Sequence, residues 1–124
     1  MILAATLFAG ALGALVRFVL DSEIKVRVRH PFPVGTFVIN VSGSLLLGLV
    51  AGSVMFADGS PTWQTIAGTG FCGGYTTFST ASVETVRLIQ RGKLGIAALN
   101  AVASALASVA ACAAGLAAVW VWTR

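Results

Sequence analysis

Between Gly68 and Thr80 the chain brings four glycines and five Ser or Thr hydroxyls together without one charge. Glycine weakens a helix and hydroxyls compete for its backbone, so an unwound segment is expected within this stretch. Carbonyls freed by such a break are good ligands for a hard cation, and the hydroxyls can donate hydrogen bonds to an anion. The alternative is that the glycines serve close packing and the hydroxyls bond back to their own helix. A second candidate is Asn40, an amide in the run Gly35-Thr36-Phe37-Val38-Ile39-Asn40-Val41-Ser42-Gly43. An unsatisfied amide in hydrocarbon costs on the order of several kcal/mol, so Asn40 either joins two helices or serves a pathway. Asn100, Ser104 and Ser108 recur at intervals of four and stack on one helical face, where they line a pathway or grip a neighbouring helix.

Other chemistry is missing. No Asp, Glu, Lys or His lies inside an apolar stretch away from its ends, and Glu84 and Arg17 sit near boundaries, so proton coupling through buried carboxylates is not expected. There is no nucleotide-binding loop, no metal-spaced His or Cys set, and no nucleophile with a base, and no enzyme is expected. Cys72 and Cys112 lie in apolar runs and are read as small core residues.

The elements that must position these residues follow from where charges are absent. Hydrophobic residues make up 57% of the 124 and charged ones 10%, which excludes a water-soluble domain. Four uncharged stretches remain, from Met1 to Val16, Phe32 to Ala57, Gly59 to Val83 and Leu94 to Thr123. A hydrocarbon core of about 30 Å needs roughly 20 helical residues. Spans are therefore predicted near 2–20, 34–56, 63–86 and 95–122, forming a single all-α membrane domain over 1–124. The first stretch lacks a basic n-region and carries Arg17 at its far end, so it is expected to remain as a mature helix rather than a cleaved signal.

The first loop is expected over Asp21 to Pro33, with Lys25, Arg27, Arg29 and His30; the third carries Arg87, Arg91, Gly92 and Lys93. With four spans these loops share one side, while the termini and the nearly uncharged second loop share the other. The positive-inside rule then places the basic loops in the cytoplasm and both termini outside. Trp63, Trp120 and Trp122 are placed to anchor at the interfaces. The net charge of +4 is assigned to orientation, with no nucleic-acid partner expected. Small residues dominate the fourth span from Ala97 to Ala118 and imply close helix packing in an oligomer.

The segments Gly10-Ala-Leu-Gly13-Ala14-Leu-Val-Arg17, Gly35-Thr36-Phe37-Val-Ile-Asn40-Val-Ser-Gly43 and Gly70-Phe71-Cys72-Gly73-Gly74-Tyr75-Thr76-Thr77-Phe78-Ser79-Thr80 resemble the signature segments of the Fluc (CrcB) fluoride channels. The resemblance covers the first three spans in order. It implies a cell-membrane subunit with a broken third helix, assembled as an antiparallel dimer with two fluoride pores and a central sodium ion that is structural and not transported. Carried over by motif, Gly73 and Thr76 match the sodium ligands through backbone oxygens, with the partner supplying the rest. Asn40 matches the pore amide, Phe78 the pore phenylalanine and Arg17 the vestibule arginine, with Thr77, Ser79, Thr80, Ser104 and Ser108 along the polar pathway.

Two departures qualify that pattern. The family's third motif continues Ser-Thr-Phe, whereas this chain reads Ser79-Thr80-Ala81, and its charge bias between the two sides is strong. Together they suggest pairing with an oppositely oriented homologous subunit. The simpler alternative is a tolerated Ala81 and a self-pairing chain. A small multidrug-type exporter would need a glutamate within the first span, which is absent, and a non-conducting subunit would fit the lost phenylalanine.

Overall fold

A computed structural model describes residues 1–124 and is almost entirely helical. Helix α1 (Ile2–Arg27) and α2 (Val34–Phe56) are followed by a short α3 (Pro61–Trp63), a π-helical stretch (Gln64–Cys72), α4 (Gly73–Tyr75), α5 (Phe78–Gln90) and α6 (Leu94–Trp122). Three helices, α1, α2 and α6, are each long and apolar enough to cross a membrane. The third expected span is present in two pieces, from Pro61 to Tyr75 and from Phe78 onward, so neither piece alone has that length.

Two expected boundaries move. The first loop does not begin at Asp21, because α1 continues to Arg27 and only Val28 to Pro33 lie outside helix. The extension leaves the apolar stretch but is held by Lys25 to Asp21 at 2.6 Å and Arg27 to Glu23 at 3.0 Å, both one turn apart. At the other end of the third span α5 runs on to Gln90. It stops in a Schellman turn, with Gly92 N–H donating to Ile89 O and Lys93 N–H to Leu88 O, each at 2.9 Å. Gly92 takes φ +73° there, a conformation in which a Cβ would be strained. The start of α3 is set by Ser60, whose hydroxyl accepts from Thr62 N–H at 3.2 Å, with Pro61 in the first helical position.

Close approach of backbones holds the bundle. A Cβ on Gly48 would strike the Cys112 carbonyl, and one on Gly115 would lie 2.5 Å from the Leu45 carbonyl, so α2 and α6 lie backbone against backbone. On the other side Gly74 of α4 sits on the Gly10 carbonyl and Gly13 of α1 on the Phe71 carbonyl. Side chains nearly as large as the space allows fill what remains, with Ile39 and Asn100 each 1% exposed. These contacts pin the third segment against α1 and α2.

Candidate functional site: the break in the third span

The break is only two residues long. Thr76 (φ −79°, ψ 159°) and Thr77 (φ −148°, ψ 118°) are extended, whereas the glycines before them remain helical. Sequence placed the unwinding anywhere from Gly68 to Thr80; Gly70 and Gly74 are instead used for contact with α1 and Gly68 for contact with α2, and Gln64–Cys72 is wound as π-helix. Such windings are rare and concentrate at functional sites.

What holds the break open is Asn40. Its Nδ2 donates to the Thr77 carbonyl at 2.9 Å, and its Oδ1 accepts from Thr77 N–H at 2.8 Å. A side-chain amide here takes the place of a peptide partner across 37 residues of sequence. In an unbroken helix Thr77 N–H would return to the Gly73 carbonyl, and Thr80 N–H to that of Thr76. Thr80 N–H instead reaches the Thr77 hydroxyl at 3.1 Å, capping α5. The Gly73 and Thr76 carbonyls are thereby deprived of their helical donors. One Nδ2 proton of Asn40 also remains uncommitted after both bonds to Thr77.

Beside the break lies a groove of about 640 Å³ between α2, α5 and α6. It gathers Asn40, Gly73, Thr76, Thr77, Phe78, Ala81, Ser104 and Ser108, so most of the residues singled out from sequence share one surface. Phe78 stands at its lip, 88% exposed, and a Cβ on Gly73 would meet nothing within 4 Å. Ser79 and Thr80 do not line the groove, although Ser79 Oγ lies 3.3 Å and Thr80 Oγ1 3.0 Å from the Thr77 hydroxyl. Arg17 is not among its lining residues either, and its side chain makes no hydrogen bond or ion pair within the chain.

The stripe on α6 divides in function. Asn100 is buried and donates to the Thr85 hydroxyl at 2.9 Å and towards the Ala81 carbonyl at 3.4 Å. Ser104 donates to Asn100 Oδ1 at 3.3 Å, while Ser108 makes no bond within the chain. All three line the groove, but Asn100 also grips α5 whereas Ser108 leaves its hydroxyl uncommitted. Sequence reading did not select Thr85, or the bond between Ser42 and the buried Tyr75 hydroxyl at 2.9 Å. Thr85 lies one turn beyond Ala81, and its hydroxyl donates back to the Ala81 carbonyl at 2.8 Å; nothing in the local pattern marks it as a partner of Asn100.

Comparison with known proteins gives the chain's relatives. The family model described as CrcB-like protein, Camphor Resistance (CrcB), matches residues 4–116. The chain is 51% identical over 110 residues to the fluoride-specific ion channel FluC 2 of Cutibacterium acnes, covering 88% of this chain and 89% of that protein. It is 45% identical over 116 residues to FluC 1 of Leifsonia xyli subsp. xyli, covering 94% and 85% respectively. A third relative, FluC 1 of Streptomyces avermitilis, is 46% identical over 109 residues, covering 87% of this chain and 88% of that one.

Proposed function

Because the chain belongs to the CrcB family, matched over residues 4–116, we propose that it is a subunit of a passive fluoride-selective channel in the cytoplasmic membrane. It is a multi-pass membrane protein and not an enzyme. The observation that carries the reading is the pair of hydrogen bonds between Asn40 and Thr77, which keeps a helix open beside a largely apolar groove carrying a few amides and hydroxyls within the span. Irregular backbone at membrane depth is tolerated only against protein or a watery cavity. That requirement, with Phe78 and Gly73 unpacked, supports a second subunit over the groove.

Fluoride is small and strongly hydrated, and must be offered replacement donors before it leaves water. The free Nδ2 proton of Asn40 and the hydroxyl of Ser108 are such donors on facing helices of the groove, with Ser104, whose proton goes to Asn100 Oδ1, beside them as an acceptor that can reorient. The positive edge of the Phe78 ring adds attraction without the grip of a fixed cation. Several weak contacts let the ion both enter and leave. Arg17, half-buried on α1, is assigned to the vestibule, where a cation raises local anion concentration. Export needs no coupled step. Hydrogen fluoride diffuses in and dissociates, and an inside-negative potential drives the anion out at about 2.3 kcal/mol per 100 mV.

The Gly73 and Thr76 carbonyls fit a hard cation, since both have lost their helical donors and both residues line the uncovered groove. In the dimer they are half of the ligand set for a structural sodium, which would offset the carbonyl dipoles gathered at the interface. The partner is assigned as a homologous subunit in the opposite orientation, with the termini of this chain outside. The basis is the concentration of Lys25, Arg27, Arg29, Arg87, Arg91 and Lys93 on one side, together with Ala81 at the groove. Ala81 also favours a second reading, in which the pore lined by this residue is silent and the subunit serves assembly.

Growth tests the proposal. A bacterium stripped of its own fluoride exporters should survive millimolar fluoride when it expresses this chain with an oppositely oriented homologue. It should be killed when Asn40→Asp is expressed at equal level, and equal survival with and without the wild-type chain in every pairing would reject the function.

A further inference from the structure

A second pocket, of about 230 Å³, lies at the basic end of the bundle, away from the groove. Its walls include Lys25 from the extension of α1, His30, and Glu84, Arg87 and Arg91 from α5. We infer that it binds a phosphodiester carrying a hydrogen-bond donor on its head, the chemistry of an anionic glycerophospholipid headgroup. The inference stands apart from fluoride conduction.

The charges in the pocket are unequally satisfied. Lys25 is engaged, by Asp21 at 2.6 Å and by Glu84 Oε1 at 3.7 Å. Arg87 and Arg91 form no ion pair, yet they lie one turn apart on the same face, where like charges repel. A phosphate between them removes that repulsion and receives planar, multiply donating groups suited to it. His30 Nδ1 accepts from Phe32 N–H at 3.0 Å, so the neutral ring carries its proton on Nε2 as a further donor.

Glu84 selects within phosphates. Its carboxylate lines the pocket and neither oxygen accepts a hydrogen bond: Oε1 stands 3.7 Å from Lys25 Nζ, and Oε2 is buried without a partner. An acceptor left unsatisfied beside an anion site calls for a donor on the ligand, which the hydroxyls of a glycerol head supply and a choline head does not. The depth agrees, because the apolar part of α1 ends near Leu20 and Lys25 stands about 7 Å further along the helix, at the level of headgroups. Basic pockets between membrane helices at the cytoplasmic face are established headgroup sites as a class.

Native mass spectrometry of the full chain in detergent, alone or with its partner subunit, tests this with dioctanoyl-phosphatidylglycerol, dioctanoyl-phosphatidylcholine and inorganic phosphate as probes. The glycerol lipid should be retained about tenfold more tightly than the choline lipid. The double variant Arg87→Gln, Arg91→Gln should lose that preference, and Arg29→Gln, Lys93→Gln, which removes equal charge outside the pocket, should keep it. Equal retention of the two lipids, or equal loss in both double variants, would overturn the site. Millimolar phosphate that leaves the lipid bound supports the headgroup as source; phosphate that displaces it assigns the pocket to free phosphate and overturns a lipid occupant. Helical circular dichroism confirms that each variant is folded before it is scored.

Discussion

Asn40 was legible from sequence as an amide that had to find a partner, but not which one. Its partner is a backbone peptide at Thr77, and no side-chain pattern encodes that. The bond geometry separates two substitutions. Asn40→Asp can still accept from Thr77 N–H, yet it sets an oxygen against the Thr77 carbonyl and a negative charge in the groove. Losing a donor to a buried carbonyl costs about 1–3 kcal/mol, so fluoride flux should fall about ten- to hundredfold in stopped-flow efflux while helical content is unchanged. Ala81 makes the opposite prediction. Position 81 lines the groove, and Ala81→Phe should restore an aromatic edge there. Flux of the assembled channel should rise by up to about twofold, the change expected if one of two parallel pathways gains a working constriction. An unchanged rate would show that alanine is already adequate.

At the scale of elements, four apolar segments could be read directly, and the polar interval in the third was visible as a cluster of Gly, Ser and Thr. The place of its break was not, because the four glycines look alike in sequence but meet different surroundings. Gly74 lies on the Gly10 carbonyl of α1, whereas Gly73, its neighbour, has nothing within 4 Å. Substitution should separate them. Gly74→Ala must push α4 off α1 and should lower the melting temperature of the subunit in detergent, at a cost of about 1–3 kcal/mol. Gly73→Ala should leave the subunit's melting temperature unchanged but weaken assembly, read as a shift from dimer to monomer on size-exclusion chromatography. The end of α1 escaped the hydropathy reading for a similar reason. Hydropathy reports where hydrocarbon stops, while the pairs Lys25–Asp21 and Arg27–Glu23 keep the chain helical beyond it.

For the whole molecule, the uneven charge and the uncovered groove are the grounds of the proposed arrangement, a subunit of fixed orientation completed by a partner. Orientation is open to a direct check. In intact cells a membrane-impermeant maleimide should label Thr123→Cys and leave Arg91→Cys unlabelled, and equal labelling of both would mean dual insertion. The native thiols interfere little, since Cys72 is buried and Cys112 lies within α6. The decisive measurement is ion efflux from liposomes holding this chain together with an oppositely oriented homologue, in sodium, with fluoride and chloride electrodes outside. The account predicts rapid fluoride efflux with chloride retained, abolished or sharply slowed by Asn40→Asp in this chain. Silence in every pairing, or chloride leaving as fast as fluoride, would contradict it.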